Sequence, residues 1–154
     1  MAAVVTTAPR LRAGLPPARW PNDPYLTVDQ SDEAPDDAPD GPRVGVVWAG
    51  NPDFALERTR GMPYGALKRL VAATPHVQWV SLMRPDHPRA RELGATPVTR
   101  RVVDAGALGT LVDAARLLRR LDLLVTTDTA LAPLAAALGV RVWTVLGPTF
   151  NWRW

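Results

Sequence analysis

Four short apolar runs recur through the second part of the chain: RVGVVWAG (43–50), VQWVSLM (77–83), DLLVTT (122–127) and RVWTVLG (141–147). Runs of this length, bounded by Gly, Pro or Asp, read as strands buried on both faces. The segments between them carry a different period. PYGALKRLVAAT (63–74) has helical spacing, with Pro63 suited to a first turn. TLVDAARLLRRL (110–121) places Leu111, Ala114, Ala115, Leu118 and Leu121 on one face and opens with Thr110 and Asp113 at capping-box spacing. ALAPLAAALG (130–139) reads as a helix closed by Gly139, whose small residues Ala132, Ala135, Ala136 and Ala137 permit close approach to a sheet. A short helix is expected over 86–93 and a strand over TPVTRRVV (96–103). Strands and helices in alternation imply βαβ units, a parallel sheet and right-handed crossovers. The fold class is therefore α/β: a Rossmann-like three-layer domain over 43–154. Such sheets bind ligands at the carboxyl ends of their strands. That face comprises 48–61, 83–87, 103–110, 126–130 and 146–151. No GxGxxG is present, so a dinucleotide fingerprint is missing.

The first 42 residues differ in texture. Half of the 16 prolines fall there, and DQSDEAPDDAPD (29–40) is half acidic. Such a stretch buries too little apolar surface to offset its ordering entropy. Residues 1–42 are expected to be largely disordered, 28–42 a linker, with one short ordered piece in PNDPYLTVD (21–29). The N-terminal twenty residues lack the apolar core of a secretory signal, and the expectation is a cytoplasmic protein. No apolar run reaches the roughly 18 residues of a membrane span. There is no cysteine, which removes disulfide and thiolate chemistry, and two histidines do not make a His-rich metal site. The net charge is +3, with Lys68 the single lysine, and no basic block interleaved with aromatics suggests nucleic acid.

TTDTALAPLAAALG (126–139) is strand, turn and helix. Asp128 and Thr129 are ordinary helix N-caps. The same turn presents backbone N–H groups and the positive helix end to the ligand face, which suits phosphate. Both readings stand on the local pattern. Pro133 lacks an N–H, and its placement near the first turn is expected to delay regular helix.

Taken in order, VGVVWAGNP (44–52), RGMP (60–63), WVSLMR (79–84), LDLLVTTDTALAPLAAALG (121–139) and VWTVLGPTFNWRW (142–154) resemble one family. They are similar to the C-terminal, donor-binding half of bacterial heptosyltransferase-like and tetratricopeptide-linked glycosyltransferases, which have the two-domain GT-B architecture. The resemblance implies inverting, metal-independent transfer from a nucleotide-diphosphate sugar, with no further cofactor. It implies donor-site roles for Asp128, Thr129 and Ala130 at the diphosphate, for Arg60 in the loop after the first strand, and for Asn51 beside the cleft. Arg84 keeps a positive charge after the second strand, and it is equally a solvated loop residue. Gly147 and Thr149 match a GPT turn near the nucleotide. Without a metal, the diphosphate charge would rest on Arg and backbone N–H groups.

The chain departs from this family at Pro133, where the family has His, and at Gly109 and Leu111, where it often has an Asp-Phe pair. The resemblance places the general base on an acceptor half, which residues 1–42 are not expected to form, so the catalytic base is unassigned. Partners implied are a nucleotide sugar and an acceptor-domain protein or a second copy of the chain. The domain is expected to be incomplete at NWRW, with Trp152 and Trp154 packing on a further segment. The alternative reading is a catalytically inactive remnant or a protein-interaction module, and a sugar-nucleotide epimerase is a third. Among other polar residues, His76 and His87 read as turn residues. Asp104 reads as a ribose contact or the start of a turn with Gly106, and Glu57 as a solvated neighbour of Arg58 and Arg60.

Overall fold

The computed structural model describes residues 3–5, 24–29 and 41–148. The four apolar runs form strands β2 (Arg43–Val47), β3 (Gln78–Ser81), β5 (Leu123–Thr127) and β6 (Arg141–Val145). They pair in parallel, together with a two-residue strand β4 (Val103–Asp104). A further strand, β1 (Ala3–Val5), adds to β6 in antiparallel sense, with Val4 opposite Thr144. The sheet order is β1-β6-β5-β2-β3-β4. The chain thus runs from β2 outward to β4, doubles back to β5 on the other side of β2, and continues to β6.

The helices are α1 (Glu57–Arg60), α2 (Tyr64–Ala73), α3 (Leu111–Leu118) and α4 (Leu131–Ala137). Helices α3 and α4 touch, and α4 packs on β5 and β6; the right-handed crossovers general to such units place α2 on the opposite face. The layers close on a core that includes Val46, Trp48, Leu67, Val71, Leu118 and Leu124, all fully buried. Each such aliphatic side chain contributes roughly 1.5–3 kcal/mol. Among the described residues, no helix is long and apolar enough to cross a membrane.

Local chemistry explains where the elements begin and end. The capping box at α3 forms as its spacing predicts: Thr110 Oγ1 accepts the Asp113 N–H at 3.1 Å, and Asp113 Oδ2 accepts the Thr110 N–H at 2.9 Å. Helix α4 ends in a Schellman motif. Gly139, at φ +82°, donates its N–H to Ala136, and Val140 donates to Ala135. Pro24 lies against that glycine, where a Cβ would stand 2.5 Å from its ring. The N–H groups of Tyr25 and Leu26 both reach the Ala137 carbonyl at 3.0 Å. The ordered piece expected within 21–29 is therefore a strap on the end of α4.

Several sequence expectations are corrected. Residues 96–103 do not form a continuous strand but a 3₁₀ turn, Thr99–Arg101, followed by β4. The buried Thr99 hydroxyl bonds Tyr64, Thr96 and the Glu92 carbonyl, and such side-chain bonds compete with a strand ladder. The short helix expected over 86–93 is a 3₁₀ helix displaced to Ala90–Gly94. Leu111 is exposed, not part of the buried face of α3, because it stands at the open cleft. Pro133 does not delay α4. It is the third helical residue, where an N–H has no intrahelical carbonyl to meet, so proline forfeits no bond. Strand β1 lies within the segment expected to be irregular. Residues 30–40 of the acidic linker, Thr149, Trp152 and Trp154 lie outside the described residues.

Leu118 fills the space between α3 and the sheet with no exposure. Leu118→Ala is expected to destabilise the domain by about 2–5 kcal/mol, read as a lower urea midpoint at unchanged slope.

Candidate functional site

Strands β2 and β5 are neighbours, yet the chain leaves β2 toward β3 and reaches β5 only after returning. The strand order reverses between them, and the crevice beyond such a switch point is where open α/β sheets take ligands. A cleft of about 620 Å³ opens there. Its walls are Ala49, Gly50 and Asn51 after β2, Met83 and Arg84 after β3, and Thr129 and Ala130 after β5. Leu108, Gly109, Thr110 and Leu111 close the side nearest α3.

The peptide of Gly50 is held from both sides. Its N–H donates to Glu57 Oε1, and its carbonyl accepts from His87 Nε2 at 2.9 Å. His87 Nδ1 meets the backbone N–H of Arg89 at 3.0 Å. A backbone N–H only donates, so Nδ1 is the acceptor and the ring proton sits on Nε2. Both ring nitrogens are thereby engaged within the protein. A second anchor lies one turn deeper. The guanidinium of Arg89 forks onto Glu92 at 2.9 Å and donates to the carbonyls of Met62 and Trp48. The buried Trp48 indole donates to the same carboxylate at 2.8 Å.

Arg60 joins this wall to the opposite one. Its Nη2 donates to the carbonyl of Asp128, and its guanidinium lies 4.6 Å from the Phe54 ring centroid. Its Nε faces Glu57 Oε2 at 3.9 Å, and neither of these buried atoms makes a hydrogen bond. The rim is polar. Arg84 forks onto Asp86, with Nε to Oδ1 at 3.0 Å and Nη2 on Oδ2. The hydrogen bond from Arg84 holds the Asp86 carboxyl below the usual carboxylate range, and the same bond raises the guanidinium. Asp53 also lines the cleft. Among the described residues, no group of three His, Asp or Glu side chains gathers as a metal cage.

Of the residues singled out in the sequence, Asn51, Arg84, Thr129 and Ala130 line the cleft. Arg60 and Asp128 stand behind it and meet each other. Gly147 lies against α1, where a Cβ would come within 2.1 Å of the Thr59 carbonyl oxygen, so a packing constraint accounts for this glycine. Thr149 lies outside the described residues. The N-cap of α4 falls on Ala130, with no side-chain bond, and not on Asp128 or Thr129; Thr129 Oγ1 meets Thr126 Oγ1 at 2.9 Å. Asp104 Oδ1 accepts the Gly106 N–H at 2.9 Å, which is the turn alternative. Glu57 is not a solvated charge. Its side chain is 12% exposed and ties Gly50 to Arg60. The i, i+3 spacing of Glu57 and Arg60 was the available signal, but nothing local points either residue at the end of β2.

The glycosyltransferase family 9 (heptosyltransferase) profile matches residues 97–154, a stretch that contains β4 through β6 and the Asp-Thr turn. Among solved structures, E. coli heptosyltransferase WaaC with ADP-2-deoxy-2-fluoro heptose superposes with a TM-score of 0.59 at 22% identity. The fold is α/β and Rossmann-like, similar to part of the WaaC structure. The match covers 73% of this chain and 34% of the WaaC chain, so the chain spans about a third of that enzyme. None of the curated proteins matches the sequence. The family match thus covers the C-terminal part of the chain, and the structural likeness is one of fold.

Two measurements check the site as built. Glu57→Ala leaves the Gly50 N–H and the Arg60 charge without their partner and is expected to destabilise by about 1–3 kcal/mol in urea unfolding. Glu57→Gln, which keeps an acceptor for Gly50, is expected to recover part of that loss. For Asp86, the folded carboxyl titrates below the ordinary 3.8. The pair's contribution is then complete above 3.8 and lost as pH falls through the lowered folded value. A carboxyl-detected NMR titration is expected to place the midpoint under 3.8 and to return it there in Arg84→Ala.

Proposed function

We propose that this domain binds the nucleotide-diphosphate sugar donor of an inverting, metal-independent glycosyl transfer. One observation carries the reading: the end of β2, the end of β3 and the Asp-Thr turn after β5 converge on a single cleft at the switch point of the sheet. In support, the family 9 match spans that turn, and the matched heptosyltransferase structure contains an ADP-sugar analogue. Arg84, Asn51, Thr129 and Ala130 are the groups assigned to the donor, with Arg60 and Asp128 supporting them from behind. Gly147 and Thr149 would stand near the nucleotide.

The chemistry asks little covalent work of this half. An acceptor hydroxyl attacks the anomeric carbon from the face opposite the diphosphate. The bond from that carbon to the phosphate oxygen breaks, and the nucleoside diphosphate departs with the electron pair. Charge growing on the leaving oxygen is met by the Arg84 guanidinium and by N–H groups at the turn. The hydroxyl proton goes to a base on an acceptor-binding domain, either a partner protein or a second copy. His87 is excluded from that role by its two internal bonds. We place the reaction in the cytoplasm, with no cofactor beyond the donor.

A second reading, a domain that retains the cleft but no turnover, is favoured by one feature. Arg60 is bonded to the Asp128 carbonyl and faces Glu57, so its charge is matched inside the protein.

Calorimetric titration with ADP, UDP and GDP, then with their sugar conjugates, tests both readings without added metal. One nucleotide is expected to bind at micromolar concentration, and Arg84→Ala to weaken it by roughly tenfold. Folded protein that binds none of them overturns the donor assignment. Binding of a sugar conjugate with no release of sugar, even with acceptor-domain proteins present, favours the second reading.

A further inference from the structure

For a diphosphate site, the cleft is poor in positive charge. Among the described residues that line it, Arg84 is the one cation, against the carboxylates of Asp53 and Asp86. The other guanidinium near the Asp-Thr turn, Arg60, is enclosed beside Glu57 and bonded to Asp128. An ion pair in that setting is expensive to separate.

The Arg84–Asp86 pair is of the opposite kind. Its side chains are 78% and 67% exposed at the cleft rim, and exposed ion pairs are weak enough to exchange. Two of the five guanidinium N–H groups, on Nε and Nη2, belong to Asp86. That edge is one of those a guanidinium offers to phosphate as a fork, and here a carboxylate already fills it. Pro85 lies between the two residues and fixes its own φ, which narrows the ways they can part.

We propose that Asp86 is a built-in competitor for the anion site: it holds Arg84 at the rim as a neutral pair and yields it to an incoming diphosphate. The proposal rests on the cleft being an anion site, as the proposed donor function requires. Its consequence is selectivity. A singly charged anion gains little by displacing one carboxylate, whereas a diphosphate brings enough charge to take the guanidinium. The depressed titration of Asp86 agrees with a carboxylate that stays ionised, and so keeps competing, at neutral pH.

The test uses inorganic pyrophosphate as the probe, followed by NMR on the full chain, with the nucleotides titrated in parallel. Asp86→Asn is expected to tighten pyrophosphate by about three- to fivefold, the scale of an exposed ion pair. Asp53→Asn removes a cleft carboxylate that has no bond to Arg84, and is expected to change affinity less than about twofold. In an Arg84→Ala background, Asp86→Asn should do no more than Asp53→Asn. Equal gains from the two Asp variants, a gain that survives without Arg84, or no pyrophosphate binding by any variant would each overturn the competition. Pyrophosphate behaving as expected while no nucleotide binds would leave the competition standing and remove the donor reading.

Discussion

The peptide of Gly50 is the point on which the rest of the site depends. It follows β2, one of the two middle strands of the sheet, and its N–H and carbonyl are met from α1, through Glu57, and from the loop after β3, through His87. Gly50 is half-buried, and backbone groups shielded from water need partners. Here the pairing fixes three segments at once: the end of β2, the α1 turn and the loop after β3. Only with all three in place do Asn51 and Arg84 face Thr129 across one cleft. A Cβ at this position would approach Glu57 Oε2 to 2.9 Å and Arg60 Nη2 to 3.1 Å, so a larger residue would have to displace the two side-chain ends gathered here.

Charge is arranged around that peptide in matched pairs. Arg60 faces Glu57, Arg89 forks onto Glu92, and Arg84 forks onto Asp86. The first two are partly enclosed and bind strands, loops and the Trp48 indole into one frame. The third is exposed on the rim. The gradient runs from fixed pairs at the back to an exchangeable pair at the mouth, and this separates groups that shape the cleft from groups available to a ligand.

Much of the fold was legible because period and punctuation agreed. Apolar runs of strand length, a capping box at Thr110 and a terminal Gly139 each named an element that forms. Two of the misses share a cause, namely side chains acting over long sequence distances. Thr99 trades a strand ladder for bonds to Tyr64 and Glu92, partners that no local pattern announces. Glu57 looks like one more surface charge until the fold delivers the Gly50 N–H to it. The Asp-Thr turn was located by pattern, but its internal bonding was not: the N-cap falls on Ala130, and Thr129 turns back onto Thr126. Gly147 stood out as part of a family turn, and packing against Thr59 accounts for it.

The two ends of the sheet carry a consequence of their own. A strand with an unpaired side offers a row of N–H and carbonyl groups to any neighbouring chain, the usual seed of edge-to-edge aggregation. On one side this domain finishes with β4, only two residues long. On the other, β6 carries the half-exposed Trp143, and the antiparallel β1 covers its open side with a strand from the far end of the chain. Among the described residues, that short N-terminal piece thus replaces a five-residue margin with a three-residue one, which leaves fewer unpaired backbone groups within reach of a neighbouring chain.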